Sequence, residues 1–133
     1  MLYLVTSTRT IRNEKGEDKT IKEKYIVEGE IFADVELKIF QLWNNENDVT
    51  AISRSKISEI VNEKEEDKPF FKAEVIDVFT DENTGEEKEI LYQMLVCASD
   101  VQDAVNKMNA WLKQGYNMTL KGVTKTKIVD YIK

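Results

Sequence analysis

A chain of 133 residues is long enough to bury a hydrophobic core without disulfide or metal staples, and short enough to form one domain. Its 25 acidic and 19 basic residues leave a net charge of −6, which favours solubility and disfavours nonspecific attachment to nucleic acid or anionic membrane. A single cysteine excludes an internal disulfide and fits a reducing compartment; no apolar run approaches the roughly 20 residues that span a bilayer; and the opening Met1-Leu2-Tyr3-Leu4-Val5 lacks the basic start of a secretory signal. A cytoplasmic location without membrane contact is the expectation.

In chain order, residues 2–12 read as a strand that ends in a polar turn carrying Gly16, where glycine takes a positive φ without strain. A second strand over 20–29 has Tyr25-Ile26-Val27 as its apolar part. Phe32, Val35, Ile39, Leu42 and Trp43 then recur at helical spacing, and Asn44 and Asn45 end that helix. A strand over 48–61 follows. Residues 62–68 are charged, lack an apolar anchor and lead into Pro69, the only proline; they read as a solvated linker.

The series then starts again, with a strand over 69–80, a turn carrying Gly85 and a strand over 87–97. The second helix is better marked. Ser99 at its N-cap and Gln102 three residues later form a capping box. Val101, Ala104, Val105, Met108, Trp111 and Leu112 supply its apolar stripe, and Gly115 is its stop. A strand over 118–132 closes the chain. Trp43 and Trp111 hold late helical positions, where packing is the simpler role than that of exposed anchors.

The restart is an internal duplication. Sliding the sequence along itself until Gly16 meets Gly85 also brings Ile26-Val27 onto Leu95-Val96, Asp34 onto Asp103 and Lys38 onto Lys107. After a two-residue insertion, Ser53-Arg54-Ser55-Lys56-Ile57 meets Thr124-Lys125-Thr126-Lys127-Ile128. The expected fold is α+β: tandem ββαβ units, with antiparallel-rich sheets that each carry one helix on a face. The right-handed crossover from second to third strand puts the first strand in the middle of a three-stranded sheet. The two sheets either join edge to edge into one six-stranded sheet or stack. The whole is one pseudo-symmetric domain: repeat one 1–61, linker 62–68, repeat two 69–133.

Much chemistry is missing. There is no histidine, hence no imidazole general base, Ser-His or Cys-His nucleophile, or imidazole metal site. One cysteine cannot build a structural zinc site, and no glycine-rich phosphate loop or nucleophile elbow occurs. The acidic run from Asp81 to Glu87 lacks the ligand alternation of a calcium loop and reads as a β-turn. Asp34 and Asp103 fall early in helices, where a carboxylate supports the helix dipole. Cys97, without a basic neighbour in sequence, reads as a packing residue. No catalytic, metal or cofactor site is expected.

The most suggestive surface is basic. Arg54 and Lys56 alternate with Ser53 and Ser55, and Lys125 and Lys127 with Thr124 and Thr126; Lys121 extends the second stripe. Period-two alternation puts each pair on one strand face. There the charges could hold phosphates of a single-stranded nucleic acid or a small ligand, or simply guard an edge strand against aggregation.

The second copy resembles an uncharacterised family of small proteins, a domain of unknown function found in gut anaerobes and their phages or mobile elements. The likeness rests on Phe71-Lys72-Ala73-Glu74-Val75, on Asp81 to Lys88, on Met94-Leu95-Val96-Cys97-Ala98-Ser99-Asp100 and Ala104, and on Thr126-Lys127-Ile128-Val129-Asp130. In the first copy, Tyr25-Ile26-Val27 and Ser55-Lys56-Ile57-Ser58-Glu59-Ile60 are similar to the same pattern. The first helix departs from it, since Glu30-Ile31-Phe32-Ala33 lacks the Ser-Asp start. The resemblance implies a bacterial or phage cytoplasmic setting, and no activity or site is carried over from it. The leading expectation is a non-catalytic module, monomer or homodimer, acting on an unidentified protein partner. Single-stranded nucleic-acid binding through the basic stripes is one alternative. Another is a phage inhibitor of a host defence system, whose acidic surface mimics nucleic acid.

Overall fold

The computed structural model describes residues 1–42, 47–114 and 118–133. Its elements run β1 Leu2–Arg12, β2 Asp18–Glu28, α1 Phe32–Leu42, β3 Asn47–Arg54, β4 Ile57–Ile60, β5 Phe70–Thr80, β6 Glu87–Cys97, α2 Val101–Leu112, β7 Met118–Lys125 and β8 Ile128–Ile132. The fold is α+β, with two similar ββαβ-type units. Expected ends Asn44, Asn45 and Gly115, and Trp43 with them, lie outside the described residues.

Each hairpin closes as its turn residues dictate. Gly16 and Gly85 both take positive φ, 78° and 73°. Asn13 Oδ1 accepts from the Lys15 and Glu17 amides, while Asp81 Oδ1 accepts from the Asn83 amide and Asp81 Oδ2 pairs with Lys88 at 3.0 Å. The acidic run is a turn. In each copy the crossover through the helix leaves the first strand central, with β1 between β2 and β3 and β5 between β6 and β7.

The last strand of each copy departs from expectation. Neither 48–61 nor 118–132 is one strand: each breaks, at Ser55-Lys56 and at Thr126-Lys127, and its second piece enters the other copy's sheet. The result is two four-stranded sheets, β3-β1-β2-β8 and β4-β6-β5-β7, rather than two of three or one of six. β8 runs parallel to β2 and β4 parallel to β6. The chain therefore divides into unit 1, Met1–Ser55 with Lys127–Lys133, and unit 2, the continuous stretch Lys56–Thr126. Repeat boundaries in sequence and unit boundaries in space do not coincide.

The duplication extends to irregularities. A β-bulge interrupts the β1–β3 ladder between Thr6 and Ser7 and the β5–β7 ladder between Glu74 and Val75, leaving Thr50 and Lys121 as the matching extra residues. Both parallel ladders slip as well, at Lys24/Tyr25 and at Ile57/Glu59.

Each helix covers one sheet face. In unit 1, Val35 and Ile39 bury against Tyr3, Val5, Tyr25 and Val27; in unit 2, Ala104, Met108 and Leu112 bury against Phe71, Ala73, Val75, Met94 and Val96, with Trp111 half-buried at the margin. Phe32, expected in the first stripe, is exposed and meets Tyr3 only edge-on, with centroids 5.2 Å apart; Leu42 and Val101 are exposed too. Where strand meets helix the copies compensate in volume. A Cβ on Gly29 would lie 2.7 Å from Val35 Cγ2, whereas the matching Ala98 faces a helix that carries Ala104 at the position of Val35.

α2 starts one residue later than expected. Asp100, not Ser99, is the N-cap, its Oδ1 accepting from the Asp103 amide at 2.8 Å. Asp103 reciprocates by accepting from the Ser99 amide and hydroxyl, while Gln102 turns instead to Asn106. A carboxylate at each position suits the positive end of the helix dipole better than the Ser/Gln pair would.

One buried pair distinguishes the cores. Asn47 Nδ2 donates to Ser7 Oγ at 2.7 Å and to the Ile39 carbonyl at 3.3 Å, but its Oδ1 has no partner among the described residues. The second copy carries Val75 and Met118 at these places, both packed in its core. A buried orphan acceptor costs about 1–3 kcal/mol, whereas removing both partners of a buried hydrogen bond can be neutral or stabilising. Ser7→Val with Asn47→Met is accordingly expected to raise unfolding free energy by about 1 kcal/mol, and Ser7→Val alone to lower it by a similar amount. Urea midpoints of the four chains of the cycle measure both signs; a double variant below wild type contradicts the assignment.

Candidate binding surfaces

The five basic residues singled out by alternation do not form stripes. Arg54 ends β3, Lys56 lies in the step from β3 to β4, Lys125 ends β7, and Lys127 lies in the step to β8. Each supposed pair is thus divided between the units: Arg54 and Lys127 belong to unit 1, Lys56, Lys121 and Lys125 to unit 2. Within unit 1, Arg54 and Lys127 fall at opposite sheet edges, β3 and β8 being separated by β1 and β2; at about 4.8 Å per strand that is roughly 14 Å across. Lys56 and Lys125 are arranged likewise in unit 2. Lys121 is the extra residue of the β7 bulge, so period-two counting does not carry from it to Lys125. All five are exposed, and none forms an ion pair among the described residues. Alternation was sound locally but presumed an unbroken strand.

The stretch read as a solvated linker is packed as a strap. The Val61 amide donates to the Leu95 carbonyl at 2.8 Å. Beyond it, the Asn62 side chain acts as a further strand residue: Oδ1 accepts from the Cys97 amide at 2.8 Å and Nδ2 donates to the Cys97 carbonyl at 2.9 Å. The strap turns through Glu66, whose φ of 43° lies in the left-handed region. Glu65 and Lys68 are used internally. Lys107 of α2 donates to Glu65 Oε2 at 2.9 Å and to the Cys97 carbonyl at 3.0 Å, and Lys68 pairs with Glu65 at 3.3 Å. Cys97 thus has a basic neighbour that its sequence did not reveal, but the ammonium meets its carbonyl. The buried thiol accepts from the Glu65 amide and donates to the Lys68 carbonyl, both at 3.3 Å. Donor and acceptor roles together hold the side chain in place.

The charges of this cluster support one another. Hydrogen bonds from Lys107, Lys68 and Asn62 hold Glu65 below the ordinary glutamate range, and the Ser99 amide and hydroxyl, with Lys107, hold Asp103 below that of aspartate. Burial works against the charge of Lys107, but Glu65 and Asp103 outweigh it and raise its pKa. Carboxylates depressed in the folded state contribute stability present above their unfolded pKa and lost as pH falls through the folded value. The raised Lys107 contributes stability present below its unfolded pKa and lost as pH rises through the folded one. Amide protection at Glu65 and Ser99 is therefore expected to hold through neutral pH and to fall below about pH 4. Hydrogen exchange across an acid series measures this, and protection independent of pH would refute it.

The outer face of α1 has no such internal use. On a helical wheel Val35 and Ile39 face the core, and Ala33, Leu37 and Phe40 line up on the far side at spacings of four and three. Leu37 is 56% exposed, and with Ala33, Glu36 and Phe40 it lines a shallow depression of about 260 Å³. The matching positions of α2 are Gln102, Asn106 and Asn109. Two helices of common origin, with matching inner faces, thus differ outside: one is polar, the other apolar. A helix apolar on both faces is ordinarily covered on both. The spacing of Ala33, Leu37 and Phe40 carries this signal in the sequence, beside the inner stripe of Val35 and Ile39.

Two other places are weaker. At the outer end of the β5–β6 hairpin, Val78 and Leu91 are exposed on one face and Phe79 and Ile90 on the other, so the patch is split. A cleft of about 390 Å³ in unit 1 is lined by Thr8, Arg9, Thr10, Thr20 and Asp48, but the Arg9 guanidinium already binds Glu23 at 2.7 Å. Among the described residues no group of three or more His, Cys, Asp or Glu is placed to hold a metal ion, and no helix is long and apolar enough to cross a membrane.

The chain belongs to the family described as Domain of unknown function (DUF4494), whose pattern matches residues 3–133, in agreement with the resemblance to an uncharacterised family. No curated protein matches the chain.

Proposed function

We propose that this member of the DUF4494 family is a cytoplasmic, non-catalytic interaction module that acts on a protein partner through the outer face of α1. One observation carries the reading: exposed Ala33 and Leu37 and half-buried Phe40 form an apolar row where the duplicate helix carries Gln102, Asn106 and Asn109. Exposed apolar side chains scattered singly need no explanation, but a row at i, i+4 and i+7 is the spacing by which a helix docks. The absence of histidine and the internal pairing of the Glu65–Lys107 cluster support a role without catalysis. The bacterial or phage setting implied by sequence resemblance suits an accessory protein, including one that inhibits a host defence enzyme.

The triple variant Ala33→Gln, Leu37→Asn, Phe40→Asn gives α1 the outer face of α2. Ala33 and Leu37 are exposed, so unfolding free energy is expected to change by no more than about 0.5 kcal/mol at each, and by about 1 kcal/mol at half-buried Phe40. Tagged wild-type and variant chains purified from the native cell should differ in one specific co-purifying protein. Identical sets from both would sink the reading. A nucleic-acid role would need basic residues that converge, and Arg54 and Lys127, like Lys56 and Lys125, lie at opposite sheet edges; a salt-sensitive mobility shift lost on their neutralisation would revive it.

A further inference from the structure

We infer that the partner surface recognised by α1 is a basic amphipathic helix, an apolar row flanked by lysine or arginine; this deepens the reading above and rests on it. The argument is from charge. The Ala33–Leu37–Phe40 row is bordered on one side by Glu36 and on the other by Asp34 and Gln41. Neither carboxylate forms an ion pair among the described residues. Lys38, the one base of α1, projects nearer the core side and donates to the Glu28 carbonyl at 2.6 Å. An apolar row with carboxylates on its margins is complementary to an apolar row with cations on its margins.

Charge and size also select among occupants. A second copy would bring the Glu36 and Asp34 margins of two α1 helices together, like against like. The row spans residues 33–40, about 10 Å at 1.5 Å per residue, too short for a face that must bury roughly 800 Å² on each partner of a stable dimer. Two helical turns of a ligand helix match that length. An anionic membrane would meet carboxylates and be repelled.

The probe is a fluorescent 18-residue helical peptide with leucine at i, i+3, i+4 and i+7 and lysine at the flanks, compared with the same peptide carrying glutamate for lysine. Fluorescence anisotropy with the full chain is expected to show salt-sensitive binding of the lysine peptide. Binding should weaken by about 10-fold or more in Leu37→Asn with Phe40→Asn, and roughly 3-fold in Glu36→Gln. Glutamate for lysine should weaken it about 10-fold. Equal binding of both peptides, no binding of either, or no effect of Leu37→Asn with Phe40→Asn overturns the inference. So does sedimentation showing a homodimer that Leu37→Asn dissociates, which assigns the face to self-association. Loss of the co-purifying protein in the triple variant, combined with indifference to peptide charge, would retain the α1 interface and reject its basic partner.

Discussion

Lys56–Thr126 cut out of the chain is expected to fold by itself, and repeat one, 1–61, and repeat two with its linker, 62–133, are not. The excised stretch contains every strand of the β4-β6-β5-β7 sheet together with α2. Repeat one, by contrast, lacks β8, so Lys24–Val27 of β2 loses its parallel neighbour, while its own β4 has no β6 beside it. The loss includes a ladder of backbone hydrogen bonds at about 1 kcal/mol each, the packing of Ile132 on the core and the Tyr131–Glu28 hydrogen bond of 2.7 Å. Against a typical total of about 5–15 kcal/mol that deficit is decisive. The lone repeats should be poorly ordered, or should dimerise with themselves, because β4 and β8 are sequence equivalents. Mixed together they should form a 1:1 complex. Circular dichroism and sedimentation of the three pieces measure this; a monomeric 1–61 that unfolds cooperatively would contradict the exchange of strands.

Asn62→Ala is expected to cost about 2 kcal/mol, unusually much for a residue outside any helix or strand. The Cys97 amide is buried and donates to Asn62 Oδ1; with alanine it has no acceptor at hand, and a buried unsatisfied group forfeits its full desolvation energy. The Cys97 carbonyl fares better because Lys107 still reaches it at 3.0 Å. Chemical denaturation gives the magnitude, and amide exchange gives the location, which should be centred on Cys97. A change below about 0.5 kcal/mol, the scale of ordinary surface substitutions, would return the strap to the status of a solvated linker.

Local rules served the sequence well where a feature depends on neighbours along the chain. Gly16 and Gly85 marked their turns, Val35, Ile39, Ala104, Met108 and Leu112 marked the inner helix faces, and the crossover rule placed β1 and β5 in the middle. It failed where distant segments meet. Alternation runs through Ser55-Lys56 and Thr126-Lys127 without a sign that each strand changes sheets, so basic residues adjacent in that pattern belong to different units. Length is the signal there, since 48–61 and 118–132 are longer than the 11-residue hairpin strands as well as the usual 3–10 residues. The strap escaped notice because its partners, Cys97 and Lys107, lie far along the chain. Of the proposed interface, Leu37 and Phe40 were legible once α1 was set beside α2 residue by residue; the carboxylate margins needed the helix.

Because β1 and β8 flank the same strand, β2, a pull applied through the two ends of the chain loads unit 1 alone. Leu2 is paired with Glu28 and Ile132 with Val27, so such force opens that sheet from one end, rung by rung. Lys56–Thr126 behaves meanwhile as a closed bead threaded between β3 and β8. A degradation motor seizing the C-terminal strand would strip five residues and find the first unit open, with the second still knotted into its own sheet and resisting as a separate obstacle.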